Sequence, residues 1–126
     1  MDKEIIFSKE VPQPIGPYSQ AVRAGNMFYF SGMIALDAHS GQMVGSTAAE
    51  QANKALENIK ALLLECKLDL SNIVKTSIFL ADMNDFAAVN EVYATFFTSH
   101  FPARETVEVS RLPKDALVEI TIIATQ

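Results

Sequence analysis

The segment TAAEQANKALENIKALLLEC (residues 47–66), followed closely by IVKTSIFL (residues 73–80), decides the fold. Apolar residues in the first segment recur every three or four positions, which is typical of an amphipathic helix. Thr47 and Glu50 have the spacing of a capping box, so the helix is expected to begin there. The second segment is an apolar β-prone run that ends at polar residues 82–85, and it predicts a strand. The helical stripe consists of Ala48, Ala52, Ala55, Leu56, Ile59, Leu62, Leu63 and Cys66.

Further strands are predicted on both sides of this segment. Residues 5–7, 19–23 and 27–34 are β-prone, and Ala24-Gly25-Asn26 between the last two suits a tight hairpin. Asp85 is the expected N-cap of a second helix over residues 86–98, and strands follow at 106–110 and 117–125. The inner stripe of that helix is predicted to be Phe86, Val89, Asn90, Tyr93, Phe96 and Phe97.

The order β-β-β-α-β-α-β-β predicts a single α+β domain over residues 1–126, with two helices on one face of a mixed sheet. The other face would carry alternating apolar residues with no third layer above it. Burying that face against further copies of the chain is the simplest way to remove it from water.

Composition narrows the function. The net charge is −5 and the ten basic residues are scattered singly, which disfavours nucleic acid as a partner. A single cysteine excludes a disulfide within the chain. The N-terminus does not resemble a signal peptide, and no apolar run approaches the roughly 20 residues that cross a bilayer, so we expect a cytoplasmic protein without a membrane partner.

Several kinds of site are not indicated. His39 and His100 lie far apart in turn-like contexts, and no His/Cys/Asp group has the spacing of metal ligands. Cys66 lies on the apolar stripe, so we expect a small buried side chain and not a nucleophile. The sequence therefore predicts neither a metal nor an organic cofactor.

Two charged residues stand out. Glu119 interrupts the apolar run 117–123, and on strand alternation it shares a face with residues that are not typical of a solvated surface. Arg104 follows Pro102 and opens a strand, so its guanidinium is presented from a restrained backbone and could hold a carboxylate bidentately. An exposed patch for Glu119 and a structural salt bridge for Arg104 remain open alternatives from residue type alone.

From end to end, the chain resembles the RidA family, the YjgF-type reactive-intermediate deaminases. The resemblance rests on motifs that occur in order at fitting spacings. These are PIGPYSQA (14–21), FSG (30–32), DMNDF (82–86) with VNEVY (89–93), FPAR (101–104) with VEV (107–109), and RLPK (111–114) with VEI (118–120).

The resemblance implies a chorismate-mutase-like α+β fold assembled as a homotrimer with sites between subunits. It also implies hydrolysis of enamine and imine intermediates, such as 2-aminoacrylate/2-iminopropanoate and 2-iminobutanoate, to 2-keto acids and ammonia. These intermediates arise from pyridoxal-phosphate-dependent dehydratases. By the same resemblance, Arg104 binds the substrate carboxylate and Glu119 orients or activates the attacking water.

The resemblance also assigns the remaining pocket positions. Tyr18 helps to enclose the ligand, Ser31 lines the cleft, and a side chain at Gly32 would crowd it. The backbone of Thr106 can contact the ligand, while Asn90 is read as bracing the site.

Two positions depart from the family pattern, and other functions compete. Met33 stands where Gln is common, and Glu105 stands where a small residue is common; strand alternation points Glu105 away from Arg104. The main alternative is a non-enzymatic trimer that binds small 2-keto acids as a regulatory or signalling protein. A ribonuclease is disfavoured by the acidic charge, and a chaperone-like surface is neither supported nor excluded.

Overall fold

The computed structural model describes residues 2–126 and contains six strands and two α-helices in the predicted order. In chain order the elements are β1 (Lys3–Ile6), β2 (Ala21–Ala24), β3 (Met27–Phe30), α1 (Ala48–Glu65), β4 (Ile73–Leu80), α2 (Phe86–Phe96), β5 (Ala103–Glu108) and β6 (Val118–Thr125). Short 3-10 turns occupy Leu70–Asn72, Met83–Asp85 and Pro113–Asp115. No helix among the described residues is both long enough and apolar enough to span a bilayer.

The strands form one mixed sheet in the order β1-β2-β3-β6-β4-β5. Only β4 and β5 pair in parallel, and all other neighbours are antiparallel. The β2–β3 hairpin turns at Gly25, whose φ of 62° is readily adopted by glycine. The predicted α+β class, the mixed sheet and the two helices are therefore confirmed.

The main core lies between the sheet and the two helices. Every predicted stripe residue of α1 is buried except Cys66, which is only half-buried at the helix end. On β6, buried Val118, Ile120, Ile122 and Ala124 alternate with partly exposed residues, so this strand places one row of side chains under the helices.

The predicted N-cap is confirmed for α1 and wrong for α2. At α1 the Thr47 hydroxyl accepts from the Glu50 amide at 3.2 Å, and Glu50 accepts from the Thr47 amide at 3.1 Å, completing the capping box. At α2 the Asp85 side chain makes no capping bond, contrary to prediction. Asp82 instead accepts from the Asn84 amide at 2.9 Å, because a 3-10 turn precedes the helix.

Two further predictions are wrong: the length of the strand over residues 27–34 and the burial of Phe86. The predicted strand 27–34 ends at Phe30, and the chain bends away before Met33 rejoins the sheet through a bridge with Ile120. Phe86, expected in the inner stripe of α2, is 38% exposed, and its ring lies near Arg104 of the edge strand β5.

The sheet face away from the helices is less apolar than expected. Ile5, Tyr29 and Val107 are exposed there, but Lys75 and Glu105 form an ion pair of 2.7 Å on the same face. A small second core covers one end of this face, so the expected absence of a third layer holds only in part. It is formed by Ile34, Leu36, Leu112 and Ala116, with Phe79 packed against it.

Candidate functional site

Glu119 lies at the covered end of that face. Strand alternation points it away from buried Val118 and Ile120, and it pairs across the sheet with Phe79. It lines a small pocket together with Pro12, Ile15, Tyr18, Ser31, Ile34 and Pro113. Desolvation in this largely apolar pocket raises the pKa of the Glu119 carboxyl. The geometry provides a partly desolvated carboxylate in a concave surface, as general-base chemistry requires.

Gly32 lies directly against the Glu119 carboxylate. A Cβ atom at Gly32 would stand 2.6 Å from both Cδ and Oε2 of Glu119. Any side chain at position 32 would therefore collide with the Glu119 carboxylate.

Gly32→Ala is expected to displace the Glu119 carboxylate while leaving the fold intact, because the colliding atoms belong to the movable end of a side chain. Misplacing a reacting group by about 1 Å can cost roughly 100-fold in rate. For a reaction in which Glu119 takes part we expect kcat to fall about 10- to 100-fold in a steady-state assay, with the melting temperature nearly unchanged in a thermal melt. The control is Gly16→Ala, whose added Cβ meets the Tyr18 ring at an ordinary 3.5 Å. Equal losses in both variants would contradict the specific role of Gly32.

Ser31 and Tyr18 form part of the pocket wall. The Ser31 hydroxyl donates to the Ser19 carbonyl at 2.6 Å. The Tyr18 hydroxyl accepts from the Ile15 amide at 3.2 Å, and 47% of Tyr18 remains exposed. Both residues line the same pocket as Glu119.

Two buried amides hold the pocket wall and were missed in the sequence. Gln20 donates to the carbonyls of Ser8 and Pro12, each at 2.9 Å, and accepts from the Ser8 amide at 2.7 Å. Asn58 donates to the Leu36 carbonyl at 3.0 Å. A polar residue within the apolar register of α1 was the available signal for Asn58, because a buried amide needs backbone partners.

Arg104 lies in a different cleft, on the helix side of the sheet. It pairs in register with Thr76 of β4, whose hydroxyl is 2.9 Å from the hydroxyl of Tyr93 on α2. The guanidinium carbon of Arg104 lies 4.8 Å from the centre of the Tyr93 ring and 5.7 Å from that of Phe86. Residues 2–126 offer Arg104 no ion-pair partner. A structural salt bridge within the described chain is therefore not its role.

The neighbours of Arg104 include two other predicted site residues. Asn90 of α2 lines the same cleft. Thr106 lies two residues along β5 on the same face, and its buried hydroxyl oxygen has no hydrogen-bond partner among residues 2–126. A buried hydroxyl without a hydrogen-bond partner is uncommon in a folded protein. The Thr106 hydroxyl is therefore available for a hydrogen bond to a group outside residues 2–126.

Of the two residues that depart from the family pattern, Glu105 lies outside both clefts, whereas Met33 contributes to the lining of the Glu119 pocket. Glu105 binds Lys75 and also accepts from the Ser77 hydroxyl, on the face opposite Arg104 as predicted. These partners hold the pKa of Glu105 below its ordinary value. Met33 is buried in the main core. Neither side chain contacts Arg104 in the structure.

Within one chain, Arg104 and Glu119 are not brought together. Arg104 faces the helices with Thr76, whereas Glu119 faces away from them with Phe79. Their strands flank β4 and are therefore about 10 Å apart, and their positions along β4 differ by three residues, or roughly another 10 Å. A small metabolite cannot contact both side chains of the same copy.

Other chemistry-bearing residues lie outside both clefts. Burial raises the pKa of the Cys66 thiol to about 11, which makes it a poor nucleophile. His39 and His100 are both in exposed loops. Residues 2–126 contain no group of three His, Cys, Asp or Glu side chains placed to hold a metal ion.

A carboxylate pocket and an arginine cleft on one mixed sheet define a small-ligand-binding α+β domain. Comparisons with known proteins agree in fold and sequence. The family model described as Endoribonuclease L-PSP matches residues 8–126. The chain belongs to this family, the RidA/YjgF family.

Individual relatives are similar over nearly the whole chain. A RutC family protein of Pyrococcus horikoshii is 50% identical over 122 residues, which cover 97% of each chain. The human 2-iminobutanoate/2-iminopropanoate deaminase is 44% identical over 124 residues, covering 98% of this chain and 90% of the human protein. The crystal structure of YyfA from Yersinia pestis, described as a conserved Rid family protein of unknown function, has a TM-score of 0.95 at 44% identity and covers 98% and 99% of the two chains.

Proposed function

We propose that the protein hydrolyses small imino acids, in particular 2-iminobutanoate and 2-iminopropanoate, to 2-keto acids and ammonia. The observation that carries this proposal is Arg104, an arginine over two aromatic rings with no acidic partner among residues 2–126. The similarity to the human deaminase over 98% of this chain supports the same reaction. A carboxylate-bearing metabolite is the ligand that such a guanidinium binds best.

Each charged residue has one role in the proposed mechanism. Arg104 binds the substrate carboxylate through two parallel N–H donors and thereby fixes the position of C2. Glu119 accepts a proton from water as the water oxygen bonds to C2 of the C=N group. Glu119 returns this proton to the nitrogen, which gives the neutral carbinolamine. Glu119 then accepts the hydroxyl proton and passes it to the nitrogen as the C–N bond breaks, so that the C2–O bond becomes the keto group and ammonia leaves. Imines are already electrophilic, so orientation and a proton acceptor are sufficient, and no cofactor is needed in this mechanism.

The active assembly in this proposal is a homotrimer with sites between subunits. Arg104 and Glu119 of one copy face opposite sides of the sheet, so a complete site needs Arg104 from one copy and Glu119 from a neighbour. β5 is an edge strand and carries Arg104, which makes it accessible to a second copy. Exposed Phe101 beside Arg104, and exposed Ile15 and Tyr18 beside Glu119, provide apolar contact area for the two halves.

Mixing two inactive variants tests the shared site. Arg104→Ala and Glu119→Ala should each lack activity, but subunits mixed by unfolding and refolding should form some sites with both residues intact. In a randomly mixed equimolar trimer each interface has an Arg104 from one copy and a Glu119 from another, so about one quarter of the sites should be complete. We therefore expect roughly a quarter of the wild-type rate in the mixture. Activity no higher than that of the separate variants, in a mixture whose mixed trimers are verified by native mass spectrometry, would contradict a site shared between copies.

A coupled assay tests the reaction itself. Threonine dehydratase generates 2-iminobutanoate, and 2-ketobutyrate formation is followed at early times with wild-type protein and with Arg104→Ala. Acceleration by the wild type that disappears in the variant is the expected result. Binding of 2-ketobutyrate without acceleration would instead favour the non-enzymatic ligand-binding trimer.

The proposal places the protein in the cytoplasm, where pyridoxal-phosphate-dependent dehydratases release these imines, and gives it no nucleic-acid or membrane partner. The net charge of −5 disfavours the polyphosphate contacts of a ribonuclease. His39 and His100 lie in separate exposed loops, an arrangement that does not favour paired-histidine RNA cleavage. An RNA-cleavage assay with the Arg104→Ala variant as control tests this part of the proposal.

A further inference from the structure

The three arginines of the chain differ in what their N–H groups bind. Arg23 donates to the Gly25 carbonyl at 2.9 Å and to the Gln126 side chain at 2.6 Å. Arg111 donates to Asp115 at 2.8 Å. No hydrogen bond or ion pair joins Arg104 to any acceptor among residues 2–126. Arg104 is nevertheless only partly exposed as a residue, and the centres of two aromatic rings lie 4.8 Å and 5.7 Å from its guanidinium carbon.

The contacts that hold Arg104 are the rings of Tyr93 and Phe86 on α2. The Tyr93 side chain is held at its hydroxyl and at one face of its ring. Its hydroxyl is 2.9 Å from the hydroxyl of fully buried Thr76, and its face stacks on Phe97 with 4.4 Å between ring centres. Phe86 lies seven residues earlier on the same side of the helix and contributes a second ring to the guanidinium.

An aromatic ring beside Arg104 affects the N–H donors of the guanidinium differently from a carboxylate. A carboxylate beside Arg104 would occupy the same N–H donors that a ligand carboxylate needs, and would have to be displaced. A ring attracts the cation through its π face and leaves the donors at the edge of the planar guanidinium unoccupied. The cleft residues in the described part of the chain include no acidic side chain. They are Asn90, Tyr93, Ala94, Phe97, Phe101 and Pro102.

We propose that Tyr93 and Phe86 are positioning residues, an aromatic support that holds the Arg104 guanidinium ready for a ligand carboxylate. The support takes the place of the ion-pair partner that a partly buried arginine ordinarily has. It raises the affinity for monocarboxylates because less conformational freedom of Arg104 is lost when the ligand binds. This inference rests on the proposed function in taking a carboxylate as the ligand of Arg104.

Binding of 2-ketobutyrate, measured by isothermal titration calorimetry, tests the support without requiring turnover. Tyr93→Leu and Phe86→Leu should each weaken binding about 3- to 30-fold, the fold-change that corresponds to a cation–π contact of roughly 0.7–2 kcal/mol. Phe86 is 38% exposed, so the fold should tolerate its replacement. Tyr93→Phe keeps the ring and should restore most of the affinity lost in Tyr93→Leu. Phe28→Leu removes the ring under Arg23 and serves as the matched control, with affinity for 2-ketobutyrate unchanged.

A double-mutant cycle separates positioning from general damage to the structure. In an Arg104→Ala background, Phe86→Leu should cause no further loss of 2-ketobutyrate affinity, because the ring acts only through the guanidinium. Full affinity in both folded leucine variants, or equal losses with and without Arg104, would overturn the inference. Wild-type protein that binds no 2-ketobutyrate would also overturn it. Wild-type protein that binds 2-ketobutyrate without deaminating 2-iminobutanoate would refute only the proposed function.

Discussion

Arg104→Ala is expected to lower kcat/KM for 2-iminobutanoate by roughly 30- to 4,000-fold. This range corresponds to the 2–5 kcal/mol that is typically lost when one partner of a desolvated, hydrogen-bonded charge pair is removed. In the proposed mechanism the pair consists of the guanidinium and the substrate carboxylate. Steady-state kinetics with dehydratase-generated imine measures the loss, and titration with 2-ketobutyrate should show a comparable loss of affinity.

Two observations would distinguish a binding role from a structural one. Arg104 has no ion-pair partner among residues 2–126, so its removal leaves no carboxylate of the same copy unpaired and should change the melting temperature little. Arg104→Lys keeps the charge but loses the planar pair of donors, so its activity should lie between those of wild type and alanine. A folded Arg104→Ala protein with near-wild-type kcat/KM would rule out the arginine-held carboxylate.

The second large effect is expected for Glu119→Gln. General acid–base catalysis by a positioned side chain contributes about 100- to 10,000-fold, and glutamine cannot accept the proton of the attacking water. We expect kcat to fall by about that factor, while the affinity for 2-ketobutyrate changes little because Arg104 still holds the carboxylate. Turnover that survives in Glu119→Gln would reassign the general base.

The free energy of unfolding of Glu119→Gln should increase with pH relative to that of the protein that keeps Glu119. Desolvation raises the folded-state pKa of Glu119 above its unfolded value, so between the two values the folded chain binds more protons than the unfolded chain. The free energy of unfolding contributed by this group therefore falls as the pH rises through that interval. Chemical denaturation in an Arg104→Ala background, which removes the guanidinium of any neighbouring copy, should show the stability difference between Glu119 and Glu119→Gln shifting in favour of glutamine as the pH increases. A constant difference would contradict the raised pKa.

A titration of Glu119 also reports on the neighbouring subunit. Within one chain, desolvation is the cause that raises the pKa of this carboxyl. An Arg104 guanidinium supplied by another copy would favour the ionised form and lower the pKa. Carbon-13 NMR of the Glu119 carboxyl should therefore give a higher pKa in Arg104→Ala than in wild type. Identical titrations would place the arginine of the neighbouring copy away from Glu119.

The sequence by itself determined the class of fold and the family. The 3.6-residue periodicity of residues 47–66 and the Thr47–Glu50 capping box define α1, since both depend on local spacing that survives in the folded chain. Strand alternation correctly separated Glu119 from its buried neighbours and Glu105 from Arg104. Ordered motifs over nearly the full chain then indicated the RidA/YjgF family.

Local patterns did not predict the ends of elements or the direction of single side chains near the clefts. Asp85 makes no capping bond because a 3-10 turn begins earlier, with Asp82 as its cap. Phe86 is exposed although it belongs to the predicted stripe, since helical periodicity does not encode which elements pack against each turn of a helix. The buried amide of Asn58 donates to the carbonyls of Ile34 and Leu36, in a loop distant in sequence, so its partners could not be predicted from the pattern of α1.

Only the tertiary structure decided how the candidate site is divided. From the sequence, Arg104 and Glu119 could have met in one cleft, since both lie on strands near the C-terminus. The sheet order inserts β4 between their strands, and the register gives them opposite faces, so one copy carries the two side chains in separate clefts. Strand order and register arise from long-range pairing between segments distant in sequence, and for that reason spacing alone could not reveal the division.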